Sequence, residues 1–186
     1  VTVNPDGSFT FTPTAEARHA AAADGAPASA LADTFTITIN DGHGGTLDVQ
    51  VAVAVAPANI APTGTATADT PDADGRVTGI AAVTDADSDA LTFTASTPGK
   101  GAVTVNPDGT FTYTPIADAR HAAAREGAPD SALTDAFTIT INDGHGGTVE
   151  VPVTVVVTPA NIDPTGTAIV EAPSDGGGVL GAVILS

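Results

Sequence analysis

The chain of 186 residues carries 22 acidic against 5 basic side chains, a formal net charge of −17, and no cysteine. That balance excludes nucleic acid, because no Lys/Arg stripe is available to neutralise phosphates, and it equally excludes insertion into or binding to an anionic membrane surface. The missing cysteine excludes disulfide staples, a thiolate metal site and a Cys nucleophile, while 42% apolar residues, many of them β-branched and alternating, predict a folded chain.

Val1 to Thr65 aligns without a gap on Val103 to Thr167, and 49 of the 65 positions are identical. A fixed period of about a hundred residues marks tandem modules, each large enough for its own core. The period predicts the C-terminal half of one repeat at 1–60, a complete repeat at 61–162 and the start of another at 163–186, as a stretch of a longer array.

Within the complete repeat, Thr65 to Ala68 alternates weakly and ends at a Pro/Asp/Gly cluster. Val77 to Thr84 is a second apolar run, followed by the loop DADSDA. Leu91, Phe93 and Ala95 alternate with threonines, a two-residue strand period. Val103 and Val105 begin the next strand, and Asn106-Pro107-Asp108-Gly109 is a hairpin signal, with Pro suited to the second turn position and Gly to positive φ. Phe111 and Tyr113 follow on one face. Pro115 to Glu126 breaks the pattern: it is alanine-rich, with Thr114 as N-cap, Pro115 at the first helical position and Gly127 as terminator, so a short helix is expected there and at the copy, Thr12 to Gly25. Phe137 to Ile141 is a sixth strand, NDGHGG a turn, and Val149 to Val157 a seventh, in which Pro152 calls for an edge. Near the end, GVLGAVILS at 178–186 is too short to span a bilayer and is expected to be a strand whose partners lie beyond the sequence.

Seven short strands with Gly/Pro/Asn/Asp turns predict an all-β fold: tandem immunoglobulin-like β-sandwich modules, with a short helix between the fifth and sixth strands. In such a sandwich the chain entry and the loops 85–89, 106–109 and 142–147 gather at one pole, where the preceding module must abut. Three carboxylates at alternate positions, Asp85, Asp87 and Asp89, crowd charge that a hard divalent cation would neutralise, and Ca²⁺ takes six to eight such oxygens. The expected ligands are those three, joined by Asn59 of the linker and Asp143 of the glycine turn; the alternative for the triplet is a solvated loop, and for Asp143 that it only shapes that turn. The histidines at 19/121 and 43/145 lack a second ligand at the i+4 spacing of a helical zinc pair. The DGHGG glycines do not open a helix, so they are no phosphate cradle. No G-x-S-x-G elbow is present, and no catalytic residue is assigned. Lys100, placed by the sequence in an exposed turn, is the only lysine and gives little basis for an isopeptide staple.

The linker ANIAPTG, VTDADSDALTFTAS, GAVTVNPDGTFTYTP and FTITINDGHGGTVEVPVTV occur in the order and spacing of cadherin-like, VCBS-type repeats of large bacterial surface proteins, which the chain resembles over nearly its whole length. The resemblance implies calcium-stiffened rods at the bacterial cell surface, in adhesins and filaments, with Asp85, Asp87 and Asp89 carrying over as calcium ligands. Where that family often has Asn-Asp in the linker, this chain has Asn59-Ile60-Ala61. The expected function is a non-enzymatic structural module whose partners are neighbouring repeats of the same chain, with lateral self-association as a further option. A carbohydrate- or protein-binding immunoglobulin-like module is the alternative, and it would need an exposed aromatic platform.

Overall fold

The alternating segments pair into antiparallel sheets in a computed structural model that describes residues 1–185. In chain order the elements are β1 (Thr2–Val3), β2 (Phe9–Thr10), α1 (Ala15–Ala22), β3 (Ala32–Asn40), β4 (Thr46–Ala54), β5 (Thr63–Ala68), β6 (Val77–Thr84) and β7 (Thr92–Ala95). They continue as β8 (Gly101–Val105), β9 (Thr110–Pro115), α2 (Ala117–Ala123), α3 (Asp130–Leu133), β10 (Thr134–Asn142), β11 (Thr148–Val156), β12 (Gly166–Val170) and β13 (Gly181–Leu185). The seven strands β5 to β11 fall on the seven anticipated segments. They form a four-stranded sheet, β5-β6-β9-β8, and a three-stranded sheet, β11-β10-β7, the division of an immunoglobulin constant-type sandwich.

The two-residue period decides what goes inside. Phe137, Ile139 and Ile141 of β10 and Val151, Val153 and Val155 of β11 face Val77, Ala81, Phe111 and Tyr113 of the other sheet. Phe137 meets Phe111 edge-on at 5.5 Å and stacks with Tyr113 at 6.3 Å. The first copy repeats this trio with Phe35, Phe9 and Phe11, and Phe35 pairs with Val51 as Phe137 pairs with Val153. Nothing equivalent to β5 and β6 covers β3 and β4 among the described residues. Ile39 is therefore 53% exposed where its counterpart Ile141 is at 0%.

The helix departs from expectation at both ends. Thr114 and Pro115 stay in β9, paired with Ala102 and Gly101, and the Ile116 N–H still donates to the Lys100 carbonyl at 3.0 Å. Sheet pairing thus outweighs the N-cap signal. The helix starts at Ala117, behind Ile116, which offers no capping side chain. In the first copy Thr14 occupies that position, and its hydroxyl accepts from the Ala17 N–H at 3.1 Å. Termination comes at Ala123, before Gly127, and α3 is an element the sequence did not announce.

Lys100 is not a free turn residue. Its ammonium donates to the carbonyls of Ser131 and Thr134, and its backbone N–H donates to Asp135 at 2.7 Å. Pro152 lies in β11, at the edge of its sheet as expected. The apolar segment 178–186 does form a strand, β13, but its partner lies within the chain: β12, with Gly166 opposite Leu185. Ser186 lies outside the described residues.

Candidate metal centre

β6 ends at Thr84, and the chain turns away through Asp85 to Asp89. One oxygen of Asp85, Oδ1, accepts from the backbone N–H groups of Asp87 (3.0 Å) and Asp89 (3.1 Å). A carboxylate that satisfies local N–H groups in this way replaces a sheet ladder with a compact loop. Ser88 takes the left-handed conformation, φ 64°, inside it. The turn after β10 is built alike: Asp143 Oδ1 accepts from the N–H groups of His145 (2.8 Å) and Gly147 (2.9 Å). Asp143 therefore does shape its turn, and its other oxygen, Oδ2, accepts from Asn59 Nδ2 of the linker at 2.7 Å. Gly147 permits that contact, since a Cβ there would lie 2.0 Å from Asp143 Oδ2 and 2.8 Å from the backbone of Ala61. Asp143 is 1% exposed. Burial works to raise its pKa, but the hydrogen bonds from Asn59, His145 and Gly147 outweigh it and hold the carboxyl below its ordinary value.

From the other side comes α1. Arg18 Nε donates to the Ala56 carbonyl (3.1 Å) and the Ala58 N–H donates to the Arg18 carbonyl (3.0 Å), which lays the linker along the helix. His19, the next residue, then faces the acidic pole. Its Nε2 stands 2.8 Å from Asp89 Oδ1 and its Nδ1 3.7 Å from Asp87 Oδ2. Its ring stacks on that of His145 with centroids 4.1 Å apart. The Ile60 N–H donates to Asp87 Oδ2 (2.8 Å), and the Asp24 N–H to the Gly144 carbonyl (2.7 Å).

Of the expected ligands, Asp85, Asp89 and Asp143 bring carboxylate oxygens within 4.8 Å of one another, with Asn59 hydrogen-bonded to the third. Asp87 turns instead to the linker backbone. The hairpin 106–109 stays apart: Asp108 accepts from Thr110 N (3.0 Å) and Thr110 Oγ1 (2.6 Å) of its own turn. Sequence reasoning missed His19 and His145, because it looked for a second ligand on the same helix. Their partnership crosses from one copy to the next.

The same corner occurs a second time, and among the described residues no acidic loop lies against it. There Arg120 Nε holds the Thr158 carbonyl (3.1 Å), as Arg18 holds that of Ala56. The Ile162 N–H, however, donates to His121 Nδ1 (3.1 Å), and Asn161 Nδ2 donates to Asp163 (2.8 Å). Where the loop 85–89 is present, the two linker donors are instead spent on Asp87 and Asp143.

Four buried side-chain atoms among the described residues find no hydrogen-bond partner: His19 Nδ1, Asn59 Oδ1, Asp85 Oδ2 and Asp89 Oδ2. All four lie at this one junction. Three are acceptor oxygens, beside carboxylates that share a pocket of negative charge. Burying such groups unsatisfied is costly, and an oxygen set of this kind suits a hard divalent cation. The donor set thus fits a metal of the calcium class.

Residues 1–54 match the bacterial Ig domain family, and residues 55–159 match the bacterial cadherin-like domain family. Comparison with curated proteins and with solved structures gave no match. No helix among the described residues is long and apolar enough to cross a membrane. The sandwich topology, its repetition along the chain and the match over more than half of it agree: the chain belongs to the bacterial cadherin-like domain family.

Proposed function

We propose that the chain is a structural segment of an extracellular bacterial stalk, adhesin or surface filament, with modules at 1–60, 61–162 and 163–186, and that Ca²⁺ at the junctions makes it stiff. The observation that carries this reading is the concentration of unpartnered buried acceptors at one junction, on Asn59, Asp85 and Asp89. Asp85, Asp89 and Asp143 would hold the ion, with Asn59 Oδ1 from the linker. Asp87 would act beside them by fixing the linker backbone. Calcium supplies the positive charge that lets these carboxylates share one space. The residues themselves orient the linker against the turn at 143–147. The proposed role needs no catalysis, and Phe111, Tyr113 and Phe137, three aromatics of the complete repeat, are in the core and not on a carbohydrate platform.

An ion that binds only the docked arrangement stabilises it by mass action, by about 2.7 kcal/mol at a hundredfold excess over Kd. Melting the chain in millimolar calcium and again with a chelator should therefore show a clear fall in Tm on chelation. Equal melting temperatures would remove calcium from the account.

A further inference from the structure

The junction contains a second group of metal-competent side chains with different chemistry. His19, Asp89 and His145 each offer one ligand atom, all within 4.8 Å of one another. We infer that these three residues form a zinc-class site, separate from the all-oxygen group but sharing Asp89 with it, and assembled only when the helix α1 docks on the acidic loops. The inference rests on the docked junction, and not on calcium occupying it.

Three observations support nitrogen-preferring metal chemistry here. The Asp89 side chain is 6% exposed, and its Oδ2 makes no hydrogen bond: His145 Nδ1, 3.3 Å away, donates instead to the Asp143 carbonyl at 3.1 Å, which leaves Nε2 as the free nitrogen of that ring. A buried carboxylate with one oxygen on His19 and the other unsatisfied beside His145 is open to an ion. Next, His19 has lost the partner that its counterpart keeps. At the other corner His121 Nδ1 accepts from Ile162 N–H, whereas the Ile60 N–H donates to Asp87 and leaves His19 Nδ1 buried and unpartnered. A metal at Nε2 resolves this: the ring proton then sits on Nδ1, with Asp87 Oδ2 3.7 Å away, just outside hydrogen-bond range. Closing that gap would give the carboxylate–histidine–metal arrangement that fixes a ligand's tautomer. Finally, the two rings stack at 4.1 Å, and one nitrogen of each lies within 4.8 Å of the other. Tetrahedral zinc holds ligands at about 2.0–2.1 Å. A group already within 4.8 Å closes on it by small side-chain rotations, leaving a fourth position to water. Two imidazoles and one carboxylate suit zinc and its neighbours, whereas calcium and magnesium prefer oxygen alone.

The test uses the whole chain, stripped of divalent ions and titrated without calcium. Zinc, followed by calorimetry, should saturate at one equivalent, and cobalt(II) in its place should give the intense visible absorption of a four-coordinate ion. His19→Ala and His145→Ala should each weaken zinc binding by more than about a hundredfold, beyond the roughly 10–100-fold that losing an outer-shell partner costs. His121→Ala and His43→Ala, which alter the equivalent histidines away from the junction, should bind zinc like the parent chain. No saturable zinc binding would overturn the inference, as would the weak spectrum of six-coordinate cobalt or an equal loss in His121→Ala. The cobalt spectrum is read on the unsubstituted chain, so the test holds even if a variant fails to dock. With calcium absent throughout, a negative result leaves the calcium reading standing, and an unchanged Tm on chelation leaves this one standing.

Discussion

Replacing Asp135 with alanine should cost the sandwich roughly 3–5 kcal/mol, given about 1–3 kcal/mol for the one buried donor left without its acceptor and about 0.5–1.5 kcal/mol for each part-buried hydrogen bond lost. Asp135 sits in β10 and accepts four hydrogen bonds. They come from the N–H groups of Gly99 (3.2 Å), Lys100 (2.7 Å) and Ala136 (2.9 Å) and from the Tyr113 hydroxyl (2.9 Å). The last of these joins β10 of one sheet to β9 of the other, and the first two hold the turn that leads into β8. One carboxylate therefore ties together three parts of the chain, and its removal strands the buried Tyr113 hydroxyl.

The same residue gives the fold an acid limit. Burial raises the Asp135 pKa, but the hydrogen bonds from Lys100, Tyr113, Ala136 and Gly99 together outweigh it, and the net direction is down from 3.8. A carboxyl depressed on folding stabilises the native state above its unfolded pKa, and that contribution is lost as pH falls through the folded value. Acid melting should thus steepen below about pH 3.8, and Asp135→Ala should flatten that limb. Tyr113 has the opposite sign. Burial, then the neighbouring carboxylate, push its phenol well above 10.0. Its contribution is complete below about pH 10 and declines as pH rises through the folded pKa. Thermal or urea melts across pH, on the parent and Asp135→Ala, check both statements.

The second large effect is expected at the junction, where Asp85→Asn should reverse sign with calcium. The variant keeps Oδ1 as an acceptor for the N–H groups of Asp87 and Asp89, so the loop retains its shape. It removes one charge from a cluster that also contains Asp89 and Asp143. With a chelator present, less like-charge repulsion should leave the variant as stable as the parent chain or more so. With calcium at millimolar concentration, it should lose most of the ion's stabilisation, about 2–3 kcal/mol where the parent is near saturation. Melting both chains in both conditions gives four temperatures. A variant destabilised equally with and without calcium would mean that Asp85 matters only for the loop.

The strands were legible in the sequence because alternation is a local signal: Phe137, Ile139 and Ile141 announce an inward face, and β10 has one. The meeting of the loops 85–89 and 142–147 was legible too, once seven strands implied a pole, but the hairpin 106–109, expected with them, keeps Asp108 within its own turn. What the sequence hid was set by contacts between distant residues. Thr114 looked like a helix cap, but pairing with Ala102 kept it in a strand. β13 looked partnerless because its complement, β12, lies across a polar Gly/Pro-rich stretch. His19 and His145 belong to different copies, and their positions in the repeat lie beyond opposite ends of one strand, β10, so no spacing within one copy brings them together. The available clue was that both histidines recur, one in the helix that ends a module and one in the turn that begins its neighbour's contact.

The central claim is that docking at Asn59 and Asp85–Asp89 is made rigid by a divalent ion, and a distance across that junction tests it most directly. The chain has no cysteine, so Gln50→Cys and Thr154→Cys, at exposed positions of β4 and β11, accept one pair of spin labels. A narrow distance distribution in calcium that broadens on chelation is the predicted result. A distribution equally narrow, or equally broad, in both conditions would contradict it.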